Sequence, residues 1–448
     1  MNVLEGEGTI IMSNLKPQNW YRLGISAEKQ FLQDLSRYHG LVIPAHVAAL
    51  YLKSVSQFLT RLRKPFFIDP MTYMLARPPR SIWNSEGNVR RSFVKLRYHY
   101  GPLMASAIGS RQLTPDFINE ISESGTRAGP ELVRHVLQFQ VSVSATQRSL
   151  ERIRSVIGEP VSQPIQPEFL VPPYFFFKST NDPWYNTNLE LLSTATQVAS
   201  EYELPIFPIV CMSKNLLVQE EMLQLVFEQY SGHDGVILWI NSLNEQSITS
   251  EEGRGLVELI RAFKSSKMTV YNLYGGYLSA LLIHKGLDGF SCSVAYGESK
   301  KIDAPTGGGG RPIRYYEPRL HTMIRPIDAM NFYRDPASLR LLTHQCPFCQ
   351  ELRKCINQAS STAEKRNCVT EFFNIDRKPI PDEALNWRTS REHFMETRAS
   401  EMNEISSSSI KQLSQSLQQA YKSYTHSDFS NISPVDINYL KVWQEIIS

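Results

Sequence analysis

The chain has 448 residues, 42% of them hydrophobic and 20% charged, with 47 basic against 44 acidic side chains. That balance is ordinary for a globular protein and too even to mark a nucleic-acid binder by charge alone. A core of this size needs no disulfides, and no run of about 18 apolar residues offers a membrane span. Residues 1–13 carry two Glu and no basic residue, unlike the start of a signal peptide, so a cytoplasmic location is expected. Six Cys occur, and Cys346, Cys349, Cys355 and Cys368 share one short stretch. In a cytosolic chain such clustering favours metal over disulfide.

Residues 27–38 and 45–62 space their apolar residues by three and four, which predicts helices and makes residues 1–64 a helical N-terminal cap. From Pro65 short apolar runs alternate with amphipathic stretches. The runs at 65–69, 136–143, 174–177, 205–211, 235–240, 269–273, 289–294 and 312–316 are eight candidate strands. Helices are expected between them at 187–203, 218–230, 250–265 and 278–285, with a helical insertion over about 90–134. Buried strands alternating with helices predict a parallel sheet, and eight such units predict a (β/α)8 TIM-like barrel over 65–335. Residues 336–448 read as a helical, metal-binding C-terminal region, with a surface helix over 405–424.

The stretch His344-Gln345-Cys346-Pro347-Phe348-Cys349 puts three soft donors in one turn. Tetrahedral zinc takes four N or S ligands, and a site filled by protein on all four positions is structural. His393 is the choice for the fourth ligand, with Cys355 and Cys368 as competitors.

Three motifs then fall in order: Val270-Tyr271-Asn272-Leu273-Tyr274-Gly275-Gly276-Tyr277, Gly286-Leu287-Asp288-Gly289-Phe290-Ser291, and the His344/Cys346/Cys349 knuckle with distant His393. Together they resemble the tRNA-guanine transglycosylase superfamily, including its relatives that insert deazaguanines into DNA. The resemblance covers residues 268–400 by motif. It implies a zinc-bearing barrel acting on DNA or tRNA, a purine or 7-deazapurine base as co-substrate, and a pentosyltransferase reaction if the chain is an enzyme. A homodimer or partner subunit fits the same family. The departures are specific. His344 stands where the family has its first knuckle Cys, and Ser291 stands where it has its nucleophilic Asp. Of the family's Asp-Ser-Gly-Gly strand end only Asp69 is kept.

In a barrel the chemistry sits at the C-terminal strand ends. Asp69, Asp288 and Glu298 are the candidate catalytic acids, because proton transfer or attack on a sugar carbon needs a carboxylate there. Asn241, Tyr274, Gly275 and Gly276 are candidates for holding the base. Arg311 and Arg314, beside Gly307 to Gly310, are candidates for phosphate. Lys178, Asp182, Cys211, Glu245 and Lys300 also stand at strand ends. Two functions stay open: base exchange or removal at guanine in a nucleic acid, or a catalytically silent barrel that binds nucleic acid or a partner.

Overall fold

The computed structural model describes residues 17–24, 28–35, 37–108, 112–120, 125, 127–156, 163–294, 297–303, 312–373, 384–427 and 429–448. Seven strands form one parallel sheet: β1 (Gln18–Arg22), β2 (Gly40–Pro44), β3 (Phe66–Asp69), β4 (Ile209–Ser213), β5 (Gly235–Asn241), β6 (Thr269–Leu273) and β7 (Gly289–Ser293). Their order is β3-β2-β1-β7-β6-β5-β4, curled into a half-barrel. β2 and β3 are buried at every position and β5 at all but its last, as expected for parallel strands covered on both faces.

The edge strands β3 and β4 share a neighbour, the extended segment 168–177. Glu168 N donates to Phe66 O of β3 at 2.8 Å, while Phe177 N donates to Cys211 O of β4 at 3.1 Å. Ser213 N returns a bond to Phe177 O at 3.1 Å.

The connections are helical: α1 (Glu28–Asp34) after β1, then α2 (Ala45–Leu50) and α3 (Leu52–Leu62) after β2. After β3 come α4 (Arg91–His99), α5 (Pro102–Ala107), α6 (Pro115–Asn119) and α7 (Ala128–Val156), and α8 (Pro183–Ala199) leads into β4. α9 (Glu220–Tyr230), α10 (Ser250–Ser265) and α11 (Tyr277–Leu281) follow β4, β5 and β6. Beyond β7 the chain forms an antiparallel ribbon of β8 (Tyr315–Glu317) and β9 (Thr322–Ile324). Helices α12 (Pro326–Tyr333), α13 (Pro347–Gln358), α14 (Thr362–Phe373), α15 (Trp387–Ser407), α16 (Ile410–Thr425), α17 (Phe429–Ile432) and α18 (Tyr439–Ile447) complete it. Among the described residues no helix is long and apolar enough to cross a membrane.

Three expectations are corrected. Residues 1–64 are not a helical cap, because β1 and β2 lie there inside the main sheet. β1 escapes the apolar pattern because Gln18, Asn19 and Arg22 flank its two aromatics; β2 runs straight into α2 and reads as one helix with it. The run 136–143 is not a strand but the middle of α7, where buried Leu132, Val133, Val136, Leu137, Gln140 and Val143 recur at helical spacing. The run 312–316 does not join the main sheet; its last two residues pair with β9 instead.

Alternation places one side of β1, β3 and β6 inside the curl. There Trp20, Phe67, Phe169, Phe207 and Tyr271 form an aromatic layer, with Phe169 and Phe207 stacked at 4.0 Å and Trp20 edge-on to Phe67 at 5.3 Å. Burying five such rings supplies about 2 kcal/mol or more each. This layer closes the floor beneath the C-terminal strand ends.

Candidate functional site

The metal cluster begins with a local turn. Cys346 caps α13 with Pro347 at the first helical position, and its sulfur accepts the Cys349 amide at 3.4 Å. α15 supplies His393, which is fully buried. The His393 Nδ1 lies 3.0 Å from Cys346 Sγ and 3.6 Å from Cys349 Sγ. Nε2 lies 2.7 Å from the Tyr316 carbonyl. A carbonyl only accepts, so Nε2 carries the proton and Nδ1 presents its lone pair to the sulfurs. His344 completes the group, and one donor atom from each of the four lies within 4.8 Å of the others. Ligands of a tetrahedral zinc sit about 3.7 Å apart, so the donors need only small rotations. A hydrogen bond from the Cys349 thiol, helped by His393 and opposed by burial, holds Cys346 well below the usual thiol range. The donor set and the fixed tautomer both fit a metal ion. Cys355 and Cys368 are joined in a disulfide and do not compete for it.

α15 continues from the cluster into a second polar network. Arg398, fully buried, pairs with Glu298 and with Glu401, the latter at 3.0 Å. His321 lies 2.6 Å from Glu401 and stacks on Tyr277 at 3.3 Å. Burial pushes the Glu298 carboxyl up to about 7 against the pull of Arg398. Burial would also raise Glu401, yet Arg398 and His321 hold it below the usual carboxylate range.

The third feature is the rim of the curled sheet. Asp69, at the end of β3, has no exposed surface. Its carboxylate meets Arg22 of β1 at 2.9 Å, the Tyr174 hydroxyl at 2.7 Å and the Met71 amide at 2.9 Å. Beside it stands Lys300, whose Nζ donates to the hydroxyls of Tyr73 and Tyr274, the latter at 3.1 Å. That nitrogen lies 5.1 Å from the Tyr73 ring centre, 5.4 Å from Trp239 and 5.2 Å from Tyr274. Burial pushes Lys300 down to about 7, Arg22 acts the same way, and Asp69 opposes. Met71, Ser242 and Tyr274, following β3, β5 and β6, all hold positive φ (55°, 65° and 67°) without being glycine. Such backbone costs about 1–3 kcal/mol per residue and concentrates at functional sites.

The expected site residues separate. Asp69 and Tyr274 belong to the rim. Asp69 lies on the third strand of the sheet rather than the first, so it adjoins β2, with β1 between that strand and β7. Asp288 is not at the rim: it precedes β7 at the opposite end, pairs with Lys264 at 2.9 Å and accepts the Val270 amide. Glu298 faces Arg398 rather than Asp69. Asn241 is occupied, since its side-chain oxygen accepts the Ile302 amide at 2.7 Å and thereby pins the loop that carries Lys300. Gly275 and Gly276 have packing reasons. A Cβ at Gly275 would meet Ser279 Oγ at 2.3 Å, and one at Gly276 would meet Glu245 at 2.8 Å. Glu245 caps α11, accepting the Gly276, Leu278 and Ser279 amides. Ser291 is buried, and its hydroxyl faces the Tyr274 amide at 3.4 Å. Arg314 lies beside the ribbon, where its carbonyl accepts from Ser390. Arg311 and Gly307 to Gly310 lie outside the described residues. Sequence reading noted Lys300 only as a strand-end residue and left Arg22 out; the signal for Arg22 was an arginine closing an aromatic pair in Trp20-Tyr21-Arg22.

No protein-family model matches the chain, and no curated protein matches it. Among solved structures it is similar to a nitroalkane oxidase from Streptomyces ansochromogenes, at 12% identity over 63% of this chain and 66% of that one, just under two thirds of its length. The TM-score is 0.24, and a likeness that loose carries no argument.

Proposed function

We propose that the chain is a transglycosylase-like barrel protein that removes or exchanges a guanine-type base in a nucleic acid at the rim formed by Arg22, Asp69 and Lys300. The carrying observation is that cluster. Three ionisable groups are withdrawn among Tyr73, Tyr174, Trp239 and Tyr274 at the strand ends. Withdrawing charge from water costs several kcal/mol per group, and barrel chemistry sits at this end. The eighth strand of the barrel is the segment 168–177, and its bonds to both β3 and β4 support closure. His344, Cys346, Cys349 and His393 hold one zinc ion. With four protein ligands it supplies folding free energy and no chemistry.

The test is release or exchange of labelled guanine from duplex DNA and from tRNA by the purified protein. Release that Asp69→Asn abolishes supports the reading; an inert wild type on both substrates rejects it. Binding to phosphate backbone falls steeply with salt, so affinity that ignores salt also counts against a nucleic-acid substrate.

A second reading is favoured by two specific observations. Asp69 is tied to Arg22 and a backbone amide, and Ser291, at the family's nucleophile position, has no base bonded to it among the described residues. In that reading the barrel is a noncatalytic subunit that binds nucleic acid or a partner chain. Salt-sensitive binding without base release is its signature.

A further inference from the structure

We propose that Lys300 is the nucleophile of the rim, and that its Nζ forms an imine with the C1′ aldehyde of an abasic deoxyribose in DNA. The inference rests on reading the rim as the place of base removal, and it names the group that captures the sugar once its base has gone.

Among the described residues the Ser291 hydroxyl faces the Tyr274 amide, with no carboxylate or imidazole bonded to it. Asp69 is fully buried and neutralised by Arg22. Lys300 and Arg22 keep some accessible surface, whereas Asp69, Tyr73, Tyr174, Trp239 and Tyr274 are buried. A guanidinium is no nucleophile at neutral pH, which leaves the amine. The loop bearing it is fixed from three sides. Lys300 O accepts from Ser242 N at 3.3 Å and from the Trp239 indole at 3.4 Å. Asn241 takes the Ile302 amide, and Arg77 donates to Asp303 O at 2.7 Å.

The groups facing the amine are Arg22 from β1, His46 from α2, Asp69 from β3, Tyr73 and Arg77 from the segment after β3, Cys211 from β4 and Tyr274 after β6. Burial, with Arg22 and Lys300 beside it, pushes His46 down to about 3, so it stays neutral. Burial holds both phenols above their ordinary range, so they remain O–H donors. A lysine held near pH 7 among aromatic rings has its lone pair available, as Schiff-base lysines require.

In the step itself the Nζ lone pair attacks C1′ and the C=O π pair moves to oxygen. A phenol or solvent proton assists the oxygen's departure. The net loss is one water, which takes the carbonyl oxygen and both amine hydrogens, leaving C=N. No oxidant or reductant is consumed.

The experiment uses the full chain, an oligodeoxynucleotide with one abasic site, and sodium cyanoborohydride to reduce any imine to a stable amine. The expected result is a covalent protein–DNA adduct that peptide mass spectrometry places on Lys300. Its yield falls at least ~10-fold in Lys300→Gln and in Lys300→Arg and is unchanged in Lys301→Gln, an exposed neighbour. No adduct, or one spread over surface lysines and unaffected by Lys300→Gln, overturns the proposal. Should Lys300→Gln not fold, the mapped position on the wild type decides alone. Guanine release assayed in parallel separates the two ideas. Release without an adduct at Lys300 rejects the lysine and keeps base removal. An adduct at Lys300 without release supports the lysine and rejects base removal as the reaction.

Discussion

The metal cluster and the rim cluster both gather polar side chains in the interior, but they are assembled in opposite ways. Three of the four donors of the metal cluster lie between His344 and Cys349, in one turn ahead of α13. Only His393 must be delivered by the fold. The rim takes Arg22, Asp69, Tyr174, Trp239, Tyr274 and Lys300 from six separate segments, and none is near another in sequence except through the parallel sheet. The first is a site made by local chain geometry, stable to the extent that an ion closes it. The second exists only because the strand ends are brought into register. α15 joins the first region to the Arg398 network rather than to the rim, since His393, Thr397, Arg398 and Glu401 run along its buried face.

The comparison is broken most severely at the proposed zinc site. Cys349→Ser leaves three donors, and structural zinc contributes on the order of 10 kcal/mol to the folding of the segments it ties. The expected outcome is loss of bound metal and unfolding of the helices after β9, while the sheet keeps its helical and strand signal. Metal analysis with circular dichroism checks this. A variant that keeps one zinc per chain would show the ligand set to be different.

Next in size is Arg398→Met. It strands Glu401 and Glu298 without their cation, and removing one member of a buried pair costs roughly 3–5 kcal/mol. Denaturant titration reads it. A loss below about 1 kcal/mol would mean that the network is wet and replaceable.

Asp69→Asn at the rim comes third, at about 3 kcal/mol, because Asn keeps the Tyr174 and Met71 bonds but leaves the Arg22 charge unpaired. Adding Arg22→Met should recover most of that stability and none of the activity. If the single Asn variant is as stable as the wild type, the pair is not what holds β1 to β3 at the rim.

The same contrast explains what could be read in the chain. The grouping of His344, Cys346 and Cys349 was legible because donor spacing is a local property, whereas His393 was reachable only through its helical stretch and the distant His of the resemblance. β5, β6 and β7 were legible because fully buried parallel strands are apolar runs, and α10 because Thr249 and Glu252 form a capping box ahead of a clean helical period. β1 was not legible: its ends are polar for reasons that lie across the sheet, Gln18 bonding Tyr271 and Arg22 pairing with Asp69. The middle of α7 misled because Gln-Val-Ser-Val-Ser alternates like a strand while its neighbours bury at helical spacing. Asp288 misled because a motif fixes a residue's place in the chain but not the end of the strand it occupies.

The smallest expected effect is also the one that separates the rim from an ordinary packed interior. Lys300 is held at about 7 in the folded chain against 10.5 when unfolded. Between those values the unfolded chain binds the extra proton, so this residue makes stability rise with pH across that window and places its full cost below about pH 7. Lys300→Met removes the group. Its gain over the wild type should therefore be largest near pH 6, at about 1–2 kcal/mol after allowance for solvent, and should shrink steadily toward pH 10. Glu298 has the opposite sign. Its carboxyl is raised to about 7, so it lowers stability as pH climbs from about 4.5 to 7, and Glu298→Gln should flatten the acid side only. Melting curves of the three proteins between pH 5 and pH 9 give the comparison. A Lys300→Met difference that does not change with pH would mean that the amine stays charged in the folded state, and the rim would then hold a fixed cation and no nucleophile.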